Sequence, residues 1–215
     1  MSQDDTRIAL DIWSDYVCPF CYLELPAVTR LQQAFGPRLD VVWRAFELRP
    51  DPVPTLDPDG DYLHTVWNRS VYPMAERLGM RIKLPPVQPR SRKAFQAVAF
   101  ARDAGRFDAM HLALFRGFFE QGRDIGDSAE LLSLAAECGL DGDALQAALD
   151  DGRYAQQVLQ DERQAQILGI TGVPLMLVRR AGTALETAVP LQGAVPYEHL
   201  HAAVRDVAAH AGRGD

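Results

Sequence analysis

The sequence is poor in cysteine, with three in 215 residues. Three is too few for the disulfide framework of a small secreted protein, and the number is odd. Long apolar runs are missing too, and none approaches the roughly 20 residues that span a bilayer. Basic residues are outnumbered, 22 Lys and Arg against 29 Asp and Glu, for a net charge of −7. Nucleic-acid and anionic-membrane binders carry a basic footprint, so neither kind of partner is expected. The opening Met1-Ser2-Gln3-Asp4-Asp5-Thr6-Arg7 has no basic-then-apolar secretory pattern, and a reducing, cytoplasmic location is the expectation. What remains is ordinary: 47% apolar and 24% charged residues, as in a soluble globular chain. The length fits one large domain or a small domain carrying an insertion.

Periodicity orders the elements. Arg7 to Trp13 is rich in β-formers and reads as a buried strand. A helix follows to about Phe35, with Val28, Leu31 and Phe35 on one face, and Gly36-Pro37 ends it. Leu39 to Phe46 reads as a second strand, completing a βαβ unit. After a loop with prolines at 50, 52, 54 and 58, the pattern is helical from Asp61 to about Leu168, broken at Pro85-Pro86 and Pro89. Ser91 is placed as an N-cap of a helix to about Ala104. Gly139, Gly152 and Gly169 stand where helix C-terminal stops belong. Strand patterns return at Val173 to Arg179 and Glu186 to Gln192, and Pro196 opens a closing helix to about Ala209. Fraying is expected over Gly212 to Asp215. The order predicts an α/β fold: a βαβ…ββα sheet domain made of residues 1–60 and 169–215, with an all-helical insertion over 61–168.

Cys18-Pro19-Phe20-Cys21 lies between the first strand and its helix. Two residues between cysteines, wound in a first helical turn, bring the sulfurs within disulfide range. Pro19 at the first helical position sacrifices no intrahelical hydrogen bond. The positive end of the helix favours a thiolate at Cys18, which makes Cys18 the attacking thiol and Cys21 the resolving one. A zinc site would want a second CxxC or a histidine pair. Neither is present, and His199 and His201, two apart on a helix, face apart, so no metal is expected. Gly172-Val173-Pro174 opens the third strand and is compatible with a cis proline.

Three segments together resemble the thioredoxin superfamily in its DsbA-like branch. They are Ser14-Asp15-Tyr16-Val17-Cys18-Pro19-Phe20-Cys21-Tyr22, Trp43-Arg44-Ala45-Phe46-Glu47-Leu48-Arg49-Pro50 and Gly169-Ile170-Thr171-Gly172-Val173-Pro174. The chain is similar to FrnE-like proteins and to their relatives, the 2-hydroxychromene-2-carboxylate isomerases and kappa-class glutathione transferases. The resemblance covers nearly the whole chain and implies a thioredoxin fold with a helical insertion. It implies that Cys18 is the nucleophile, Cys21 the buried resolving thiol, Pro174 the cis-proline facing them, and Val173 a backbone edge for an extended substrate. Pro26 resembles the proline inside the active-site helix. Asp11 looks like the buried strand carboxylate that serves proton transfer, but it stands one residue further from the first cysteine. An exposed strand-end role is its alternative. Glu47 is a further acid, read as structural or solvated. Cys138 reads as a buried, inert thiol, and Phe115, Phe118 and Phe119 read as insertion core.

These readings imply a protein disulfide oxidoreductase acting on protein or small-molecule thiols and disulfides. No bound cofactor is expected, and glutathione is a possible redox partner. The isomerase and transferase relatives usually carry serine where Cys18 stands, so two thiols favour disulfide exchange. Pro19-Phe20 lacks the histidine of strongly oxidising DsbA proteins, and a less oxidising couple is expected. A glutathione-dependent isomerase or transferase is the alternative, and a non-catalytic peptide binder or chaperone a third. Oligomeric state is not legible.

Overall fold

A computed structural model describes residues 7–210. Residues 1–6 and the expected fray at Gly212–Asp215 lie outside the described residues. The strands are β1 (Ile8–Ser14), β2 (Leu39–Ala45), β3 (Leu175–Arg180) and β4 (Val189–Gln192). They form one sheet in the order β2-β1-β3-β4. β1 runs parallel to β2 and antiparallel to β3, and β4 is antiparallel to β3. The crossover between β1 and β2 is α1 (Pro19–Phe35), and α9 (Tyr197–His210) closes the chain. This is the βαβ…ββα order that the sequence pattern predicts.

β1 is buried at all seven positions, and its side chains alternate between two helix layers. Ile8, Leu10 and Ile12 pack with Met176 and Val178 against Val28 and Leu31 of α1 and Leu200 and Val204 of α9. Trp13 packs on the other face with Leu177 and with Ala165 of α8 (Ala155–Ile167). The Trp13 indole N–H donates to the Asp161 carbonyl in α8 at 3.1 Å.

Between β2 and β3 lie α2 (Asp61–Val66), α3 (Tyr72–Leu78), α4 (Arg92–Asp103), α5 (Phe107–Phe119), α6 (Ser128–Glu137), α7 (Gly142–Asp150) and α8. A π-turn over Trp67–Val71 joins α2 to α3. Phe115, Phe118 and Phe119 are fully buried, as expected, in a cluster that also takes in Tyr16, Cys18, Cys21 and Tyr22. The helices therefore share their core with the start of α1. Gly139, Gly152 and Gly169 all hold positive φ at helix ends, which other residues adopt only under strain. Two local expectations change. Ser91 sits at the N-cap position of α4 without a capping bond, because its hydroxyl serves Asp15 instead. The last strand starts at Val189, because Leu185–Thr187 forms a 3-10 turn.

Glu24 lies on the buried side of α1. One carboxylate oxygen accepts the Val195 N–H at 2.8 Å, just ahead of α9, and the other has no partner. Burial pushes this carboxyl up to about 8, against the lowering effect of the Val195 bond. From about pH 4.5 to 8 the folded chain therefore keeps a proton that the unfolded chain has released, and stability falls as pH rises. Glu24→Gln removes that ionisation and keeps the acceptor. Urea unfolding should show the variant more stable than the parent by about 1–3 kcal/mol at pH 8.5, with little difference near pH 4. Parallel pH profiles for the two proteins would contradict this account.

Candidate active site

The end of β1 and the start of α1 are joined by a tight turn, with the Cys18 N–H bonded to the Asp15 carbonyl at 3.1 Å. Cys18 is the N-cap of α1 and Pro19 opens the helix, as the sequence implies. Pro26 lies inside the same helix. Cys18 is 4% exposed and Cys21 fully buried, and both are free thiols. The two thiols are hydrogen-bonded to one another. Cys18 Sγ also donates to the Val173 carbonyl at 3.5 Å, and the Val173–Pro174 bond is cis. The CxxC pair and Val173-Pro174, 155 residues apart in the chain, thus meet in one place.

Cys21 is buried under the turn. Its sulfur accepts the Asp15 N–H at 3.5 Å and is hydrogen-bonded by Ser14. Burial holds the Cys21 thiol well above its usual range, and the neighbouring Cys18 sulfur adds to the effect. Cys21 therefore keeps its proton unless Cys18 changes state.

Asp11 is buried, which excludes the exposed strand-end alternative. The proton-transfer role does not fit its position. Its neighbours Leu10 and Ile12 face α1, so strand alternation turns Asp11 to the opposite face, away from the cysteines. There Arg44 donates to one oxygen at 2.6 and 2.8 Å, and Arg179 donates to the other at 2.9 Å. Asp11 pairs two arginines on the sheet. The single-residue offset from the family position is the physical reason, since it reverses the face.

A second buried carboxylate belongs to Asp15, the turn residue whose backbone N–H reaches Cys21. Its oxygens accept the Leu48 N–H at 2.7 Å and the Val17 N–H at 3.2 Å, and Ser91 also donates. Burial still pushes Asp15 up to about 6. Glu47, expected to be structural or solvated, is buried, paired with Arg92 and pushed up to about 7 by burial. Glu162 shares Arg92 at 3.3 Å. Tyr16 is a second residue without an assigned role. Its hydroxyl is 2.8 Å from His111 Nδ1, and burial holds His111 neutral, down to about 3. Asp15 and Tyr16 sit within the quoted CxxC segment, and that proximity was the available signal. His111 gave none.

Cys18, Phe20 and Val173 line a cavity of about 250 Å³, walled by Tyr62, Trp67 and Phe119. Cys138 is half-buried at the end of α6 rather than fully buried, and burial followed by the adjacent Glu137 pushes its thiol up. Among the described residues no three His, Cys, Asp or Glu side chains converge as a metal-binding group. No described helix is long and apolar enough to cross a membrane.

Residues 9–205 match the DSBA-like thioredoxin domain. The chain belongs to the DsbA-like thioredoxin family. It is 35% identical over 175 residues to the uncharacterized protein YwbO of Bacillus subtilis (strain 168), covering 80% of this chain and 86% of that protein. The crystal structure of a probable DsbA oxidoreductase, SCO1869 from Streptomyces coelicolor, is similar with a TM-score of 0.76 and 28% identity over 94% of this chain and 90% of that one. A 2-hydroxychromene-2-carboxylate isomerase shares the fold at 0.76 and 17% identity, over 96% of this chain and 100% of that one. The same fold thus occurs in a probable oxidoreductase and in an isomerase.

Asp11→Asn separates the two views of this residue. It leaves two arginines short of a full counter-charge and should cost about 2–4 kcal/mol in urea unfolding. The rate at which pre-reduced protein attacks a disulfide should stay within about twofold, since Asp11 faces away from the thiols. A rate loss without a stability loss would restore the proton-transfer role.

Proposed function

We propose that this DsbA-like protein is a thiol–disulfide oxidoreductase that works through Cys18 and Cys21. The observation that supports it most directly is the paired thiols at the N-terminus of α1, with Cys18 against the Val173 carbonyl. In the reducing direction the Cys18 thiolate attacks one sulfur of a substrate disulfide. The substrate S–S bond breaks, one substrate thiolate leaves, and a Cys18–substrate mixed disulfide forms. Cys21 then gives up its proton to solvent and attacks Cys18 Sγ, releasing the second substrate thiolate. The protein ends with a Cys18–Cys21 disulfide, having lost two electrons to the substrate. The reverse sequence oxidises a dithiol.

The burial pattern supports this division of labour. Cys21 has no exposed surface, so Cys18 is the thiol that meets a substrate. Capture of Cys18 as a mixed disulfide removes the neighbouring charge that helps keep Cys21 protonated, and this eases ionisation at the step where Cys21 must attack. The Val173 backbone offers a pairing edge for an extended substrate. Substrates are protein or small-molecule thiols and disulfides, with glutathione as a redox partner rather than a bound cofactor. In the reducing cytosol expected from the sequence, the couple would run toward its dithiol form. Glutathione-dependent isomerisation or transfer is the second reading, favoured by the walled cavity beside Cys18.

A redox titration against defined thiol–disulfide buffers tests the proposal. One two-electron transition is expected, absent from Cys18→Ser, with a midpoint more negative than the roughly −120 mV of DsbA. Failure to form the intramolecular disulfide would overturn it. Isomerase or conjugating activity that survives Cys18→Ser would favour the second reading.

A further inference from the structure

We propose that the cavity beside Cys18 selects small aromatic disulfides bearing a carboxylate, and that Arg49 reads the charge. This rests on the disulfide-exchange reading and narrows its substrate class. The cavity measures about 250 Å³, near the lower end of ligand pockets at roughly 300–1,000 Å³. That suits one substituted ring rather than a packed polypeptide segment.

Aromatic rings from separate elements line it beside aliphatic side chains such as Leu56, Leu63 and Val66: Phe20 from α1, Tyr62 from α2, Trp67 from the π-turn and Phe119 from α5. Phe119 stacks on Tyr22 with centroids 5.7 Å apart and planes 7° apart, and it also meets Trp67 at 6.0 Å. The core thus fixes the planes of Phe119 and Trp67, while Tyr62 stands at the exposed rim. Fixed rings favour an aromatic guest in offset or edge-on contact over a flexible aliphatic one.

Arg49 is the one Lys, Arg, Asp or Glu side chain lining the cavity. Among the described residues its guanidinium has no hydrogen bond or ion pair, whereas its neighbours are engaged. Arg90 binds the Arg49 and Val53 carbonyls and Asp51, and Arg92 binds Glu47 and Glu162. In a chain of net charge −7, a half-buried guanidinium left unpaired beside an apolar cavity is open to an incoming carboxylate. Partial removal from water strengthens such a pair. Glutathione also carries carboxylates, but it has no ring for the aromatic wall and brings an ammonium group that no acidic side chain lining the cavity would receive.

The reaction balances without a further reagent. The Cys18 thiolate attacks one sulfur of ArS–SAr, that S–S bond breaks, and ArS⁻ leaves. Cys21 attacks Cys18 Sγ, its proton passes to solvent, and the second ArS⁻ leaves. Two aryl thiolates form as the protein dithiol becomes its disulfide.

The test uses pre-reduced full-length protein in single-turnover stopped flow. Three probes are compared: dithiobis(nitrobenzoate), with rings and carboxylates; dithiodipyridine, with rings alone; and oxidised glutathione, with no ring. Each rate is divided by that of free cysteine with the same probe, which removes intrinsic reactivity. The carboxylated probe should be fastest. Arg49→Gln should lower the ratio of carboxylated to neutral aromatic probe about tenfold. Arg49→Lys should keep most of the ratio, and Arg163→Gln, an exposed control on α8, all of it. The inference is overturned if the normalised rates are equal, if Arg49→Gln keeps the ratio, or if oxidised glutathione is preferred. If no probe oxidises the Cys18–Cys21 pair, the exchange reading itself fails.

Discussion

Strand β1 is hydrogen-bonded along both edges and buried on both faces, and its two-residue period decides what its neighbours can do. Leu10 and Ile12 turn toward α1 and α9, while Trp13 turns toward α8. A strand buried on both sides demands apolar residues at every position. Asp11 breaks the rule and is tolerated because two guanidiniums neutralise it. At the end of the strand the same alternation turns Ser14 to the α1 side, where its hydroxyl reaches Cys21. A one-residue slip of β1 would turn Asp11 into the apolar layer under α1 and Ser14 away from the sulfur. The site and the core are therefore set by one register.

The chemistry of the thiols follows from where that register leaves them. Cys21 lies under the turn with no water contact, so its neutral form is favoured. The carboxyls of Asp15, in the same turn, and of Glu47 are also raised by burial, and Arg92 serves both Glu47 and Glu162. Such a region resists further negative charge near neutral pH. The asymmetry between the cysteines is thus one of burial, since Cys21 has no exposed surface while Cys18 caps the helix and borders the cavity.

The sequence was legible wherever the deciding information was local. The CxxC spacing, Pro19 at the helix start, the glycines at helix ends and the alternation of element types all declare themselves within a few residues. Asp11 misled because residue type matched a pattern while the offset reversed the face. Ser91 misled because a serine before a helix fits a cap, yet a buried carboxylate 76 positions earlier in the chain competes for its hydroxyl. The Tyr16–His111 and Glu24–Val195 contacts bridge 95 and 171 positions, beyond the reach of periodicity. The burial of Cys138, and the choice between a structural and a solvated Glu47, were out of reach for a related reason. Burial depends on which helix lies overhead, and a local pattern does not carry that.

Access is the remaining constraint. A thiol that is 4% exposed meets a partner only where its covering opens, and at Cys18 the covering includes a cavity. Val173 lines that cavity as well, so a guest within it meets the sulfur and the backbone edge together. Phe20 reaches it from the same helix turn as the cysteines, while Tyr62, Trp67 and Phe119 arrive from segments inserted between β2 and β3. The inserted helices also supply Phe115 and Phe119, which stack on Tyr22 one residue after Cys21. Packing that steadies the thiol-bearing helix therefore also shapes the wall a substrate must fit. Changes to that wall would alter choice of substrate and stability of α1 together, because one set of rings serves both.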